Sequence, residues 1–584
     1  MESAPKPNPK FLLSRKEDQH LQDFEFQCSL NKDWLITGEV PNHVIDSGQY
    51  QLLVYGDLIN PEILVEFKGD LSSLISASKG HFTLLHVDQD KIHVASSLFS
   101  FLPVYYSTKK MVIANHWETI KPFSQREVDE DFIIESHLFN YPIDSSTLYI
   151  DIKVLDSFTL LSLEDRSMGF DAFIDVSDWF PSQVDTSINL VRLSEQFVQS
   201  CQRYFDQEKE LITFTSGFDG RTILGTALAQ GCSVQTFSMG RMENDDVYNP
   251  LSNAQELNIP FEVIDLASEK YLTEFAKSAQ SMSIVTGGRN GFLYPHFQYC
   301  AAYFQDYPVL LTGYCGSELF RALHIAGAVT SRELVSIFLE KTNDEMMAII
   351  KDSPRLRMLK PEMVERRLPV LMQKLLDLRA RRASFRNTNH FFYFFIFKQV
   401  FRKVFGFWTQ AQFEYLKVRT PFLDGDFIKR LLQSEYAGCN NEFFTHNPLK
   451  RYKGQLLYAQ ILKTLQSPLF KMMTGKNYRP DQLLSLTGQL SIVIPYLKKK
   501  WKRKRRIPNI DNLALITGYQ RTWPEIAESL DWVQKFYQLD QVKEEVQKMS
   551  PTMSESTRDM LFQIASLSLT LKYDEVGGID RLQE

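Results

Sequence analysis

The segment 211–222 constrains the fold more than any other, because an apolar strand pattern runs through a small-residue turn into a helical pattern. It has the sequence Leu-Ile-Thr-Phe-Thr-Ser-Gly-Phe-Asp-Gly-Arg-Thr, and the helical pattern ends at Gly231. Such a turn exposes backbone N–H groups at a helix N-terminus, where the helix dipole favours an anion. The single acid, Asp219, suits a phosphate site if magnesium bridges carboxylate and phosphate. The segment therefore predicts a site for a nucleotide polyphosphate and Mg²⁺.

Strand and helix patterns alternate around this turn, after one amphipathic helix predicted over 188–208. Strands are predicted over 211–214, 233–238, 261–266 and 308–312, and helices over 221–230, 247–257 and 291–305. This order predicts a parallel sheet with crossover helices. From about 330 to 480 the pattern is mostly helical. Its aromatic stretch 391–408 is interpreted as a buried helix, with a lipid or ligand role as the alternative.

The amino-terminal part has a different pattern, with short strand-like runs from about 24 to 180 and few helices. Residues 1–20 are rich in proline and charge and are predicted to be flexible. We therefore divide the chain into a flexible N-terminus (1–20), a β-rich domain (21–185), a nucleotide-binding domain (186–485), and a basic segment with a helical C-terminal tail (486–584).

Composition excludes several classes of protein. The net charge of −6 argues against a mainly nucleic-acid-binding protein. The six cysteines are scattered without zinc-ligand spacing, which is typical of reduced thiols in a cytoplasmic protein. Neither a signal-peptide core nor a run of about 18 apolar residues is found. The basic run 498–506 is a solvated face or, alternatively, a docking site for an acidic partner or an anionic membrane.

Five segments, taken together, resemble the asparagine synthetase superfamily. Thr215-Ser-Gly-Phe-Asp-Gly220 is similar to the Ser-Gly-Gly-x-Asp-Ser pyrophosphate loop of that family, and Thr236-Phe-Ser-Met-Gly240 lies at the place of its adenine-contacting strand. Leu311-Thr-Gly-Tyr-Cys-Gly-Ser-Glu-Leu-Phe320 resembles Ser-Gly-Glu-Gly-(Ala/Ser)-Asp-Glu-Leu-Phe, with Tyr and Ser where the family has Glu and Asp. Leu416–Asp424 resembles Glu-Val-Arg-x-Pro-Phe-Leu-Asp, and Pro468–Lys476 resembles the lysine-bearing segment that follows it.

The resemblance implies roles for individual residues and a requirement for ATP and Mg²⁺. Tyr314 lies where β-lactam and carbapenam synthetases have a tyrosine that helps to deprotonate an internal amine. Its ordinary pKa is near 10, so a base role needs a cation beside it, such as Lys476. The implied catalytic residues are Tyr314, Lys476 and Glu318; the implied nucleotide-binding residues are Thr215, Ser216, Gly217, Asp219, Gly220, Ser238, Gly313 and Arg419; the implied metal ligands are Asp219 and Glu318.

Three segments of the β-rich domain resemble the class II glutaminase domain, namely 79–90, 94–106 and 111–115. Enzymes of that class use an N-terminal cysteine whose own amine serves as the base. Here Glu2 follows Met1, and Cys28 lies within a strand pattern, so only processing would expose it. The arginine and aspartate that the class has near 96–98 are also missing. We therefore expect the fold without a working glutaminase.

The resemblance implies an α/β protein: an N-terminal Ntn-hydrolase-like αββα sandwich followed by an α/β adenine-nucleotide α-hydrolase-like (PP-loop) domain with a helical extension. The expected function is an AMP-forming amide-bond synthetase that couples a carboxylate to an amine carried by its metabolite or peptide substrate. An asparagine synthetase that uses ammonia and a non-catalytic nucleotide-binding relative are the alternatives.

Overall fold

The computed structural model describes residues 6–18, 26–30, 33–88, 91–164, 166–206, 209–320, 331–440, 453–492 and 510–576. The basic run 498–506 lies outside these ranges. No helix in the described ranges is both long and apolar enough to cross a membrane.

Two antiparallel sheets form the amino-terminal part. Their strands are β1 (Phe11–Arg15), β2 (Phe26–Ser29), β3 (Trp34–Gly38), β4 (His43–Asp46), β5 (Gln51–Leu58), β6 (Gly80–Val87), β7 (Lys91–Ser96), β8 (Tyr105–Ser107), β9 (Val112–Ala114), β10 (Ile152–Val154), β11 (Thr159–Glu164) and β12 (Ser167–Ala172). The strand orders are β10-β8-β9-β1-β3-β2 and β12-β11-β7-β6-β5-β4. The helices of this part are α1 (Glu62–Val65), α2 (Leu71–Ala77), α3 (Trp117–Ile120) and α4 (Glu130–Phe139).

The two sheets and their helices form four layers. Successive side chains of a strand point to opposite faces of a sheet, so each sheet can pack on both sides. Phe11 and Leu13 of β1 share a core with Leu53 and Tyr55 of β5, so this core lies between the two sheets. The opposite face of the second sheet packs against α1 and α2. The opposite face of the first packs against α3 and α4. This is the αββα order that the resemblance to the class II glutaminase domain implies.

Residues 11–15 correct the prediction of a flexible segment over 1–20. They form β1, which pairs with β3 on one side and with β9 on the other, near the middle of its sheet. The reason is local: Phe11-Leu-Leu follows the polar, proline-rich residues, and Phe11 and Leu13 have no exposed surface. The structured amino-terminal domain therefore begins before residue 21.

A parallel sheet with strand order β15-β14-β13-β16-β17 organises the second part of the chain, as predicted from the alternating pattern. Its elements are α5 (Leu190–Cys201), β13 (Lys209–Thr213), α6 (Phe218–Ala229), β14 (Ser233–Met239), α7 (Asp245–Leu257), β15 (Phe261–Ile264), α8 (Glu269–Val285), α9 (Pro295–Tyr303), β16 (Val309–Leu311) and α10 (Gly316–Phe320). The predicted helix over 291–305 is shorter, because a 3₁₀ turn at Gly291–Leu293 precedes α9.

Helices dominate the remainder. They are α11 (Arg332–Leu339), α12 (Asn343–Lys351), α13 (Pro361–Ala380), α14 (Thr388–Phe395), a π-helix (Ile396–Phe405), α15 (Gly406–Gln412), α16 (Gly425–Gln433), α17 (Lys453–Thr464), α18 (Pro480–Leu483), α19 (Ile510–Ser529), α20 (Leu539–Gln547) and α21 (Glu555–Val576), and the edge strand β17 is Lys417–Arg419. The aromatic stretch 391–408 is helical and buried, as expected.

The predicted C-terminal tail is helical, but it is not peripheral. Most side chains of α21 between Met560 and Leu571 are buried, and α21 packs against α8 and α19. Its Asp574 receives hydrogen bonds from Lys121 and Tyr149 of the amino-terminal domain. The C-terminal helix therefore joins the two parts of the molecule.

We predict that Phe11→Ala lowers the free energy of unfolding by about 3–5 kcal/mol, because it removes a fully buried ring from between the sheets. Urea unfolding followed by tryptophan fluorescence measures the effect, since Trp34 lies on β3, the partner of β1. Phe170→Ala is the control, because that ring is 46% exposed. Equal, small effects of both substitutions would contradict the central placement of β1.

Candidate functional site

The turn after β13 leads directly into α6. Gly217 is the N-cap residue, with an extended backbone (φ −74°, ψ 179°), and Asp219 lies in the first helical turn. The amide of Gly217 is 3.4 Å from the hydroxyl of Thr215, which orders the turn. The first N–H groups of a helix lack intrahelical acceptors, so this end of α6 offers donors to an anion.

Gly220 has a packing role that differs from the predicted pyrophosphate contact. A Cβ at this position would lie 2.4 Å from the carbonyl oxygen of Thr213, so α6 approaches β13 too closely for any side chain. The glycine at this position is therefore explained by the close contact between the helix and the strand. The Cβ position of residue 220 therefore faces β13.

Both carboxylate oxygens of Asp219 accept hydrogen bonds from distant segments. The hydroxyl of Ser317 on α10 donates to Oδ2 at 2.7 Å, and the hydroxyl of Tyr458 on α17 donates to Oδ1. Gly313 and Gly316 pack directly on Asp219, since a Cβ at either position would come within 2.6 Å of its atoms. The segment after β16 thus encloses the acid of the turn.

A second polar contact lies beside the first. The hydroxyl of Ser216 donates to the carboxylate of Asp246 at the start of α7, and the hydroxyl of Ser238 donates to the Asp246 carbonyl at 2.6 Å. The amide of Gly475 donates to the carbonyl of Ser216 at 3.3 Å, which brings the loop with Lys476 onto the turn. The Lys476 ammonium is 5.7 Å from the ring centroid of Phe218.

These segments meet at the carboxyl ends of β13, β14 and β16, which is where ligands bind in open parallel sheets. These side chains fit Mg²⁺, a hard cation that takes oxygen ligands and is commonly held by one or two carboxylates. Asp219 and Ser317 supply such oxygens, and Asp246 lies next to Ser216. Glu318 lies near Asp219. Burial raises the pKa of the Cys315 thiol, and the charges of Glu318 and Asp219 raise it further, so both acids lie close to this thiol.

Tyr314 is placed differently from a catalytic base. Its hydroxyl donates to the side-chain oxygen of Gln412 at 3.2 Å, and its ring packs against Phe405 and Trp408. Burial raises the pKa of Tyr314 well above its ordinary value, and the hydrogen bond from Tyr314 to Gln412 offsets only part of the increase. The phenol is therefore neutral at physiological pH and can donate a hydrogen bond.

Arg419 does not line the turn, although the resemblance implies a role in nucleotide binding. Its guanidinium pairs with Asp57 of β5 at 2.6 Å and with Asp206 at 2.6 Å, and its side chain is 6% exposed. Burial alone would raise the pKa of Asp57, but Arg419 and Lys417 more than offset this and lower it. Arg419 thus forms a buried ion pair that joins the antiparallel sheet containing β5 to the parallel sheet containing β17.

Two residues at the site carry no signal in the sequence, Asp246 and Tyr458. Asp246 follows a recognisable cap, because the side chain of Asn244 accepts from its amide, but many helices begin this way. Tyr458 lies 239 residues after Asp219, within an ordinary helical pattern. Only the packing of α17 on α6 brings it to the acid.

Within the part of the chain that the structure describes, a second group could hold a metal, and it lies in the amino-terminal domain. His86, Asp88 and His93 bring potential ligand atoms within 4.8 Å of one another. His86 and His93 are direct cross-strand partners on the hairpin of β6 and β7. This group lies at the hairpin of β6 and β7, whereas Asp219 lies on α6, so the group takes no part in the turn.

Comparisons with known proteins give distant similarity only. No family model and no curated protein matches the chain. The glutamine phosphoribosylpyrophosphate amidotransferase of B. subtilis, complexed with ADP and GMP, matches with a TM-score of 0.19 and 10% identity, over 44% of this chain and 60% of that one. A structure described as the allosteric regulatory enzyme of purine biosynthesis matches with a TM-score of 0.19 and 8% identity, over 44% and 59%. The chain therefore covers about three fifths of each.

We predict that Gly220→Ala lowers the free energy of unfolding by about 1–3 kcal/mol, because α6 must move away from β13 to make room for a methyl group. Gly217→Ala, three residues earlier, is the matched control, since its Cβ would meet only the Thr215 hydroxyl at 3.5 Å. Thermal and urea unfolding of both variants measure the difference. Similar stability of the two variants would contradict the close approach of α6 and β13.

We predict that Arg419→Met lowers the free energy of unfolding by about 3–5 kcal/mol, because it leaves the buried carboxylate of Asp57 without its main partner. Adding Asp57→Asn should recover part of the loss. Arg430→Met is the control, because its pair with Asp185 is more than 40% exposed on both sides and is expected to contribute at most about 1 kcal/mol. Urea unfolding of the four proteins measures these effects; equal losses in the Arg419 and Arg430 variants would be inconsistent with a buried pair.

Proposed function

We propose that the chain is an ATP-dependent, AMP-forming amide ligase, which activates a carboxylate as its adenylate and joins it to an amine carried by the substrate. One observation supports this proposal above the others. The turn before α6, the segment after β16 and the loop that bears Lys476 converge on Asp219 and Ser216. These are the segments whose order along the chain resembles the asparagine synthetase superfamily, here with a PP-loop type of nucleotide domain.

In this proposal the N-terminus of α6 receives the phosphates of ATP. The backbone donors of Thr215, Ser216 and Gly217 face an anion at the end of the helix dipole. Asp219, with Glu318 as a second carboxylate, holds Mg²⁺. The ion would neutralise phosphate charge and favour departure of pyrophosphate.

Lys476 supplies a cation to the same neighbourhood, and its loop is fixed by the contact of Gly475 with Ser216. A preorganised cation lowers the energy of a transition state in which negative charge moves onto the leaving pyrophosphate. Ser238 at the end of β14 is proposed to support the nucleotide pocket through its contact with Asp246.

The role of Tyr314 changes in this proposal from base to positioning residue. Because burial keeps its phenol protonated, it donates a hydrogen bond and does not remove a proton from the amine. The substrate amine remains the proposed nucleophile, since Cys28 lies within the edge strand β2 and is not placed as an N-terminal glutaminase nucleophile.

A second candidate function is nucleotide binding without adenylation. The observation that favours it is the pair of hydroxyl donors on Asp219, from Ser317 and Tyr458, which satisfies both carboxylate oxygens without a metal. Under this alternative, ATP binds to the turn independently of Mg²⁺.

We predict that Mg²⁺ and ATP together stabilise the full-length protein, and that Asp219→Asn raises the half-saturating ATP concentration at least about tenfold, equivalent to about 1.4 kcal/mol. The substitution keeps the shape of the side chain and removes its charge. Asp540→Asn on the exposed start of α20 is the matched control. Thermal unfolding at increasing ATP, with Mg²⁺ or with EDTA, measures the change.

Exchange of labelled pyrophosphate into ATP then separates the candidates. Carboxylate-dependent exchange with a panel of amino acids, amino-substituted acids and short peptides supports the ligase. Tight ATP binding without exchange for any of them favours the second candidate. Formation of asparagine from aspartate and ammonia would identify the asparagine synthetase alternative. Normal Mg²⁺-dependent binding in Asp219→Asn would overturn the metal assignment.

A further inference from the structure

A small cavity lies where the amino-terminal domain meets the π-helix and the end of α8. Its volume is about 40 Å³, and residues of both parts of the chain line it. Three cationic side chains contribute to the lining, namely Arg289, Arg402 and Lys403. The last two come from the π-helix Ile396–Phe405, and π-helical segments are found frequently at functional sites.

Lys403 is the most unusual of the three cations. It is 5% exposed, and its ammonium has no ion pair or hydrogen bond with any residue of the described ranges. Burial lowers the pKa of Lys403, and the nearby charges of Arg402 and Arg289 lower it further. An ammonium group buried without a partner is costly, so a bound anion would stabilise the protonated form of this lysine.

Arg289 adds to the positive charge. Its guanidinium donates to the carbonyl of Lys403 and stacks over Phe407 at 4.4 Å, but no described carboxylate pairs with it. Arg402 differs, because it pairs with Asp156. The other acid near Lys403, Glu135, is already bonded to Lys374 at 2.7 Å. Lys403 and Arg289 therefore have no direct ion-pair partner among the described residues.

The neutral lining also offers donors. The hydroxyl of Tyr105 accepts from the amide of Gln410 at 3.3 Å, which leaves its own proton available to an acceptor in the cavity. Burial raises the pKa of Tyr105 to about 12, so the phenol stays protonated. The walls between these groups include Phe101 and Trp117. A cavity with cationic and hydroxyl donors and apolar walls is complementary to an anion that has a small apolar part.

The volume limits the size of such a ligand. A water molecule needs roughly 10–15 Å³ of cavity space measured in this way. A cavity of about 40 Å³ therefore holds a ligand the size of a few waters, as in acetate. We propose that this cavity is a binding site for a small carboxylate anion, held by the ammonium of Lys403, the guanidinium of Arg289 and the hydroxyl of Tyr105. This inference does not depend on the proposed ligase function, because none of these residues belongs to the nucleotide turn.

Thermal unfolding of the full-length protein in sodium acetate tests the site, with sodium chloride replacing acetate so that ionic strength is constant. The melting temperature is expected to rise with acetate and to saturate, because a ligand that binds only the folded state stabilises it. Lys403→Met should raise the half-saturating acetate concentration at least about tenfold, since it removes a charged partner. Tyr105→Phe should raise it by roughly threefold to tenfold, as expected for one neutral hydrogen bond.

Two controls separate this site from general salt effects. Lys543→Met removes an exposed lysine of α20 and should keep the wild-type response to acetate. Pivalate has the same charge as acetate but is too bulky for the cavity, so it should give no saturable shift. An equal response to pivalate, no preference for acetate over chloride, or an unchanged acetate dependence in Lys403→Met would overturn the proposal. If Lys403→Met does not fold, an unchanged acetate dependence in Tyr105→Phe would also overturn the proposal.

Discussion

The buried pair of Arg419 and Asp57 is the interaction on which the arrangement of the molecule most depends. Asp57 belongs to a sheet of the amino-terminal domain, and Arg419 ends the edge strand of the parallel sheet. The carbonyl of Arg419 in turn accepts from the amide of Thr312, just before the glycines that enclose Asp219. Because neither charge is stable alone in the interior, the pair fixes how the two domains meet and places one wall of the candidate site.

Close backbone contact shapes that site more than its charges do. Gly220 lets α6 approach β13, and Gly313 and Gly316 let the segment after β16 reach Asp219. These contacts account for the glycines at these three positions. They also leave Asp219 within reach of Ser317 and Tyr458, so the acid is held in place before any ligand arrives.

Much of this architecture could be predicted from the sequence, because it depends on local periodicity. The alternating pattern of 211–312 indicated the parallel sheet, and the turn with Asp219 indicated its candidate site. Contacts between segments that are distant in the sequence could not be predicted from local periodicity. Nothing local shows that Tyr458 reaches Asp219, that Arg419 pairs with Asp57, or that Phe11 lies in mid-sheet, since each depends on partners at least two dozen residues away. The pKa of Tyr314 likewise depends on burial, which a motif does not encode.

The π-helix adds a constraint on the length of the chain. A π-helix bonds each residue to the fifth before it, so it holds more residues per turn than the α-helices α14 and α15 on either side. Loss of one residue between 396 and 405 would favour rewinding to an α-helix and would rotate the following side chains by roughly 100°, the angle per residue of an α-helix. Arg402, Lys403 and the ring of Phe405 beside Tyr314 would then face other neighbours. This stretch should therefore tolerate changes of residue type far better than insertions or deletions over evolution.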